Sequence, residues 1–223
     1  MPKRFTPLVT NQIYHIYNRS IDGRPIFINK AIVKRAQYAL RYYKIKDTSV
    51  RLSYFLNWSK DKKDKFLFDR NSRLNQYITL YAYCFMSNHF HLLLKQEEDK
   101  GISNYMSKFQ NSITRFINTV SNRKGHIFQG QFKAVLIESN EQFLHVSRYI
   151  HLNPYSSYLV KNIEELKKYP WSSLYEYLNT KSELCDISDI LSNFKNSEMY
   201  WRFIKDHSDY QKKLESIKHL LFE

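Results

Sequence analysis

The chain has 223 residues, 43% hydrophobic and 16% aromatic, enough apolar surface for a real core and too much for a disordered chain. Its 35 Lys plus Arg against 21 Asp plus Glu leave a formal charge of +14, which favours a polyanionic partner, nucleic acid first and an anionic membrane surface second. With 4 Gly it carries no Gly-rich phosphate loop, its N-terminal "MPKRFTPLVTNQ" lacks the apolar core of a secretory signal, and no apolar run approaches a membrane span. Cys84 and Cys185 lack metal-type spacing and fit a reduced, cytoplasmic compartment.

In chain order, "IYHIYNR" (13–19) alternates and is rich in β-formers, which predicts a strand. "KAIVKRAQYALRYYKI" (30–45) places apolar residues at helical intervals. The charged, weakly periodic stretch 46–73 reads as a solvated insertion. "QYITLYAYCFM" (76–86) and "HFHLLLKQ" (89–96) read as two strands joined by a tight turn at "SN". Residues 102–123 are predicted helical, with Ile102, Met106, Phe109, Ile113, Phe116 and Val120 at three- and four-residue steps and Ser103 as N-cap. "FKAVLIE" (132–138) is a fourth strand, and 139–153 a helix stopped by Pro154. The order β-α-β-β-α-β plus a helix is the ferredoxin-like α+β arrangement, whose antiparallel sheet is expected to keep one face open for a site. Beyond Tyr155, and through 181–223, helical or extended segments are expected to pack on the core.

Two features carry chemistry. In "MSNHFHLLLK" (86–95), His89 and His91 are two apart on a strand, so they share a face and Phe90 takes the other. Imidazole is a common ligand for divalent metals, although an isolated pair of this kind more often flanks a core phenylalanine and does nothing else. In the helix 139–153, His145, Tyr149 and Asn153 recur every four residues and share one face, an alignment that Pro154 makes approximate at its last member. A tyrosine can act as nucleophile, an amide oxygen can ligate a metal, and a metal beside a phosphate polarises and orients it. His151, two residues from Tyr149, falls on another face.

Several stretches together resemble the HUH-type single-tyrosine transposases, most closely the REP-associated (IS200-like) branch. "YAYCFMSNHFHLLL" resembles their His-hydrophobic-His strand, usually worded near "MPNHVHLLL"; "YHIYNRS" resembles their first strand; "HIFQGQFKAVLIES" the segment before the catalytic helix; "SRYIHLNPYSS" their "YIxxNP"; and "YPWSSLYEY" the wording after it. Ser87 replaces a usual proline and Phe128 a frequent tryptophan; neither is a proposed ligand.

The resemblance implies a catalytic domain over 1–160 with the insertion at about 46–73 and a C-terminal extension at 161–223. It implies a magnesium- or manganese-dependent cut of single-stranded DNA beside a hairpin, with His89, His91 and Asn153 as metal ligands and Tyr149 as nucleophile. The product would be a 5′-phosphotyrosine with a free 3′-hydroxyl, and resealing would reverse the step on a new 3′ end. Single-stranded or hairpin DNA is the expected partner, with no membrane, and the protein would be a monomer or homodimer. His145 is a candidate accessory to the phenol, and Asn18, Arg19, Lys108 and Arg115 are candidate DNA contacts, each with a plain structural alternative. The competing readings are a domesticated module that holds hairpin nucleic acid without cutting it and, less well matched to the charge, a metal-dependent hydrolase of small molecules. Relaxases and replication initiators share the metal pair and the tyrosine, but the short chain and "YIHLNP" favour the transposase branch.

Overall fold

The computed structural model describes residues 7–48, 50–70 and 72–213. Four strands, β1 (Ile13–Arg19), β2 (Ile78–Phe85), β3 (His89–Gln96) and β4 (Lys133–Ile137), form one sheet in the order β2-β3-β1-β4. Between β1 and β2 run α1 (Lys30–Tyr43), α2 (Leu52–Leu56) and α3 (Lys60–Asp69); α4 (Gly101–Val120) joins β3 to β4, and α5 (Asn140–Ser156) follows β4. The mixed α+β class and the β-α-β-β-α-β running order are those expected. β1 and β3 are antiparallel: Ser20 N–H donates to the Asn88 carbonyl at 2.8 Å, and at the far end Gln96 N–H donates to the Gln12 carbonyl at 3.0 Å. That register sets Arg19 opposite His89.

The expectation of an open sheet face needs correction. All eight residues of β2 are buried, because "ITLYAYCF" offers no polar alternation and is covered on both sides. Partial exposure persists at alternate positions of β1, along β4, and at His89 and Lys95 on β3.

Two compact units divide the chain, one of residues 1–79, 87–89 and 94–136, the other of 80–86, 90–93 and 137–223. In the first, α1 and α4 lie side by side. Asn29 caps α1, its side chain accepting from Ile32 N–H at 3.0 Å. Helix α4 begins two residues before the expected Ser103 cap. Lys100, in the left-handed conformation at φ 57°, precedes it, and the Gln96 side chain accepts from Ile102 N–H at 3.1 Å. Gly101 stands there because a Cβ would lie 2.3 Å from the Tyr77 carbonyl oxygen, a backbone atom with little room to retreat. Gly101→Ala is therefore expected to cost at least about 2 kcal/mol and to lower the melting midpoint by about 4–8 °C, followed by circular dichroism; an unchanged midpoint would mean that α4 can start elsewhere at no cost.

The stretch 46–73, expected to be solvated, instead folds into α2 and α3 around an aromatic cluster. Phe55 packs on Tyr42 at 4.7 Å between ring centres, and Phe66 meets both Phe55 and Trp58 at 5.5 and 5.6 Å. Lys62 and Arg70 cover Trp58 and Phe66 with their charges, each at 4.2 Å. Phe55 and Trp58, three apart, and Phe66, eight further on, are hidden there by the surrounding Lys and Asp.

In the second unit the chain after α5 passes through a 3-10 turn at Ile163–Lys168 and then α6 (Leu174–Leu178), α7 (Ser188–Leu191) and α8 (Ser197–Lys205), with 208–213 helical again. It closes the free edge of β2: Phe85 N–H donates to the Trp171 carbonyl at 2.8 Å, and Asp186 N–H to the Leu80 carbonyl at 2.8 Å. A covered edge cannot recruit a foreign strand. The buried Glu176 carboxylate accepts the N–H groups of Glu183, Leu184 and Cys185 at 2.8, 2.9 and 3.0 Å, fixing the loop between α6 and α7. Burial raises its pKa, and those three donors pull it back. The segment 161–223, expected to pack on the core, shares its unit with α5 as far as residue 213; 214–223 lie outside the described residues.

Candidate active site

Ser139 caps α5, its hydroxyl accepting from Gln142 N–H at 3.1 Å, while the Gln142 amide oxygen accepts from Glu138 N–H at 2.8 Å. The arrangement is a variant of the capping box in which the glutamine reaches past the cap to the residue before it. The helix was expected to stop at Pro154. It runs on to Ser156, and Ser157 N–H donates to the Asn153 carbonyl at 3.0 Å. Tertiary hydrogen bonds hold the turn that the proline weakens. The Gln211 amide donates to the Tyr149 carbonyl at 3.2 Å and to Ser156 Oγ at 3.3 Å, and Ser156 Oγ donates to the Asn153 carbonyl at 3.2 Å. Tyr149 and Asn153 are thus helical neighbours one turn apart, as their spacing suggested.

Within the second unit the Tyr149 ring meets His91 edge to face, 5.5 Å between centres at 87°. His91 is buried at 6% exposure, and Asn153 at 2%. The Asn153 Nδ2 atom is buried without a hydrogen-bond partner among the described residues. An amide presents either oxygen or nitrogen by a half-turn, so this orphaned end is what an oxygen ligand awaiting a cation would leave behind. Among the described residues no group of three or more His, Cys, Asp or Glu could hold a metal ion. Two imidazoles and an amide oxygen suit a divalent first-row or alkaline-earth cation.

His89 lies on the same strand, two residues from His91 and on the same face, with Phe90 fully buried between them. Its Nδ1 stands 2.6 Å from Asn88 Oδ1, and the Asn88 amide donates to the Gly23 carbonyl at 3.0 Å. With that amide nitrogen committed to Gly23, Oδ1 can only accept, so His89 Nδ1 is the donor of the pair and Asn88 orients the ring. Asn88 is thus an orienting residue that the sequence offered only as a turn former.

His145 has the rings of Phe203 and His207 beside it, at 6.0 and 6.2 Å. Asn18 is buried: its Oδ1 accepts from Arg19 N–H at 2.8 Å and its Nδ2 donates to the Gly130 carbonyl at 3.5 Å, the strand-end role weighed as its plain alternative. Arg19 is exposed. On α4, Lys108 Nζ donates to Tyr77 Oη at 3.1 Å and covers that ring at 4.5 Å, and Arg115 is exposed one heptad on.

Sequence reasoning set His151 aside, yet it is the most enclosed histidine of the site helix. Its Nδ1 stands 2.8 Å from Tyr200 Oη and its Nε2 2.7 Å from Ser173 Oγ, at 0% exposure. Burial holds its pKa down at about 3, so the ring is neutral. One position earlier, Arg148 donates to the Phe203 carbonyl at 3.3 Å and to His207 Nδ1 at 2.9 Å. The partners come from residues 173–207, far along the chain, and no local spacing announces them.

The family model described as "Transposase IS200 like" matches residues 36–153, more than half of the chain. The chain belongs to that family, a family of transposases. No curated protein matches it. Among solved structures, "Structure of the REP associates tyrosine transposase bound to a REP hairpin" aligns with a TM-score of 0.52 at 13% identity, covering 84% of this chain and 93% of that one; at such identity the likeness is one of fold. Among the described residues no helix is long and apolar enough to cross a membrane.

Proposed function

We propose that the protein is a metal-dependent single-stranded DNA endonuclease and strand transferase that acts beside DNA hairpins through Tyr149. One observation carries the reading: Tyr149 and His91 meet with perpendicular rings while, one turn further along the same helix, Asn153 presents a buried amide end with no partner among the described residues. His89, His91 and Asn153 would hold a magnesium or manganese ion, which when bound supplies Lewis-acid polarisation and orientation of the phosphate. Tyr149 Oη forms a bond to phosphorus as the bond from phosphorus to the 3′ oxygen breaks. The phenol gives up its proton, the departing oxygen gains one, and the products are a 5′-phosphotyrosine and a 3′-hydroxyl. The diester energy is conserved in the phosphotyrosine, so attack by another 3′-hydroxyl reseals the strand without a nucleotide cofactor. Helix α5, fixed at its far side by His151 and Arg148, holds the phenol against His91 and lowers the entropy cost of attack.

The ligand set is tested directly by manganese titration calorimetry in the absence of DNA. Asn153→Ala is expected to weaken manganese binding by about 10–100-fold, and His91→Ala to abolish it. Wild-type affinity in both would remove these residues from the metal site. Chelation by EDTA is expected to stop adduct formation on a single-stranded hairpin oligonucleotide, and added manganese to restore it.

A further inference from the structure

Helices α1 and α4 lie side by side, and neither "KAIVKRAQYALRYY" nor "GISNYMSKFQNSITRFINTV" contains a single acidic residue. Their outward positions form two stripes. On α1, Lys30, Lys34, Tyr38 and Arg41 recur at steps of four, four and three; on α4, Asn104, Lys108, Asn111 and Arg115 recur at steps of four, three and four. Among the described residues no Lys or Arg of either helix has a carboxylate partner. Arg35 reaches from α1 to α4, where its Nη2 donates to Ser112 Oγ at 3.3 Å and its guanidinium lies 5.5 Å from the Phe116 ring centre. Its Nε is buried with no hydrogen-bond partner among the described residues. Part-buried between the two helices, Arg35 adds a positive charge beneath the stripes.

We propose that the α1–α4 face binds the sugar-phosphate backbone of a DNA duplex, the stem of the hairpin substrate; this rests on the reading of hairpin DNA above. Lys, Arg, Asn, Ser, Thr and Tyr are the side chains that contact phosphate and sugar, and they are what these two faces present. Each stripe spans eleven residue steps, about 16 Å at the helical rise, close to half of the roughly 34 Å turn of B-DNA. The face has Tyr38 as its one aromatic side chain at the surface stripes, too few to stack a run of unpaired bases, and lacks the apolar side that an interfacial membrane helix inserts. The surface reads charge and groove spacing, not sequence.

The test uses the full chain and a fluorescein-labelled DNA hairpin with a stem of about one helical turn, in anisotropy titrations over a range of salt. A Lys34→Ala, Arg115→Ala double variant, checked for folding by circular dichroism, is expected to bind at least tenfold more weakly at low salt and to lose about 2 from the slope of log affinity against log salt. A Lys60→Ala, Lys65→Ala variant, which removes the same charge from α3, is expected to keep the wild-type slope. Equal slopes in wild type and the Lys34, Arg115 variant would overturn the proposal, as would wild-type protein that ignores the hairpin while binding anionic lipid vesicles. Stem binding that depends on Lys34 and Arg115 in a protein that makes no covalent adduct would uphold this surface and sink the cleavage reading; an adduct with an unaltered slope would do the reverse.

Discussion

Tyr149→Phe is expected to abolish the covalent protein–DNA adduct that the wild-type chain forms with a single-stranded hairpin oligonucleotide and manganese, a loss of at least about 10³-fold. The substitution isolates one atom. Tyr149 is part-exposed and its ring packs perpendicular to His91, so phenylalanine keeps the contact and removes the hydroxyl alone. Melting behaviour and metal binding should hardly move, which separates loss of chemistry from loss of structure. The adduct is read as a slower band on a denaturing gel that survives boiling in detergent. Undiminished adduct in Tyr149→Phe would mean that another nucleophile does the work, and an equal lack of adduct in wild type would point to a chain that holds hairpins without cutting them.

The largest effect on stability is expected at His151. Replacing it with alanine removes a fully buried ring and one hydrogen bond each from the Tyr200 and Ser173 hydroxyls, which keep Ser147 and Tyr83 as partners. The cavity and the two lost hydrogen bonds together should cost about 3–5 kcal/mol, a fall in melting midpoint of roughly 6–20 °C for a chain of this size. The same residue gives a pH signature. Its pKa is about 3 in the fold against 6.5 for free imidazole, so the unfolded chain takes up a proton that the folded chain refuses. Its contribution is intact above about pH 6.5 and is lost as pH falls from there towards 3, by up to about 1.4 kcal/mol per pH unit. Urea titrations at several pH values should therefore show a smaller acid loss in His151→Gln than in wild type. Parallel pH profiles would show that the ring titrates freely in the fold and that the buried network does not exclude the proton.

Much of the fold was readable because strand and helix periods are local. β1, β3 and the start of α1 fall where alternation and apolar spacing put them. Tyr149 and Asn153 share a face because four-residue spacing survives wherever a helix does. Three misreadings have one cause, tertiary contact overriding a local signal. Pro154 ends an isolated helix, but Gln211, fifty-seven positions later, supports the turn through it. The charged insertion looked solvated because its Lys and Asp residues outnumber the rings that hold it. Gln96 supplies the acceptor that lets α4 start before Ser103. Asn88 and His151 could not be found from spacing at all, since each acts on residues that only folding brings near.

Gly23 gives the first strand's end a further meaning. Its backbone is in the left-handed region at φ 62°, where an L side chain is strained, so the carbonyl it offers to Asn88 is held in place by a conformation that favours glycine. That carbonyl fixes the amide of Asn88, and the amide orients the ring of His89. An alanine at 23 would act at a distance on how the His89 ring is held, without touching a proposed ligand. A residue without a side chain thus sets the pose of an imidazole two contacts away, and coordination chemistry at position 89 would inherit any freedom introduced into that loop.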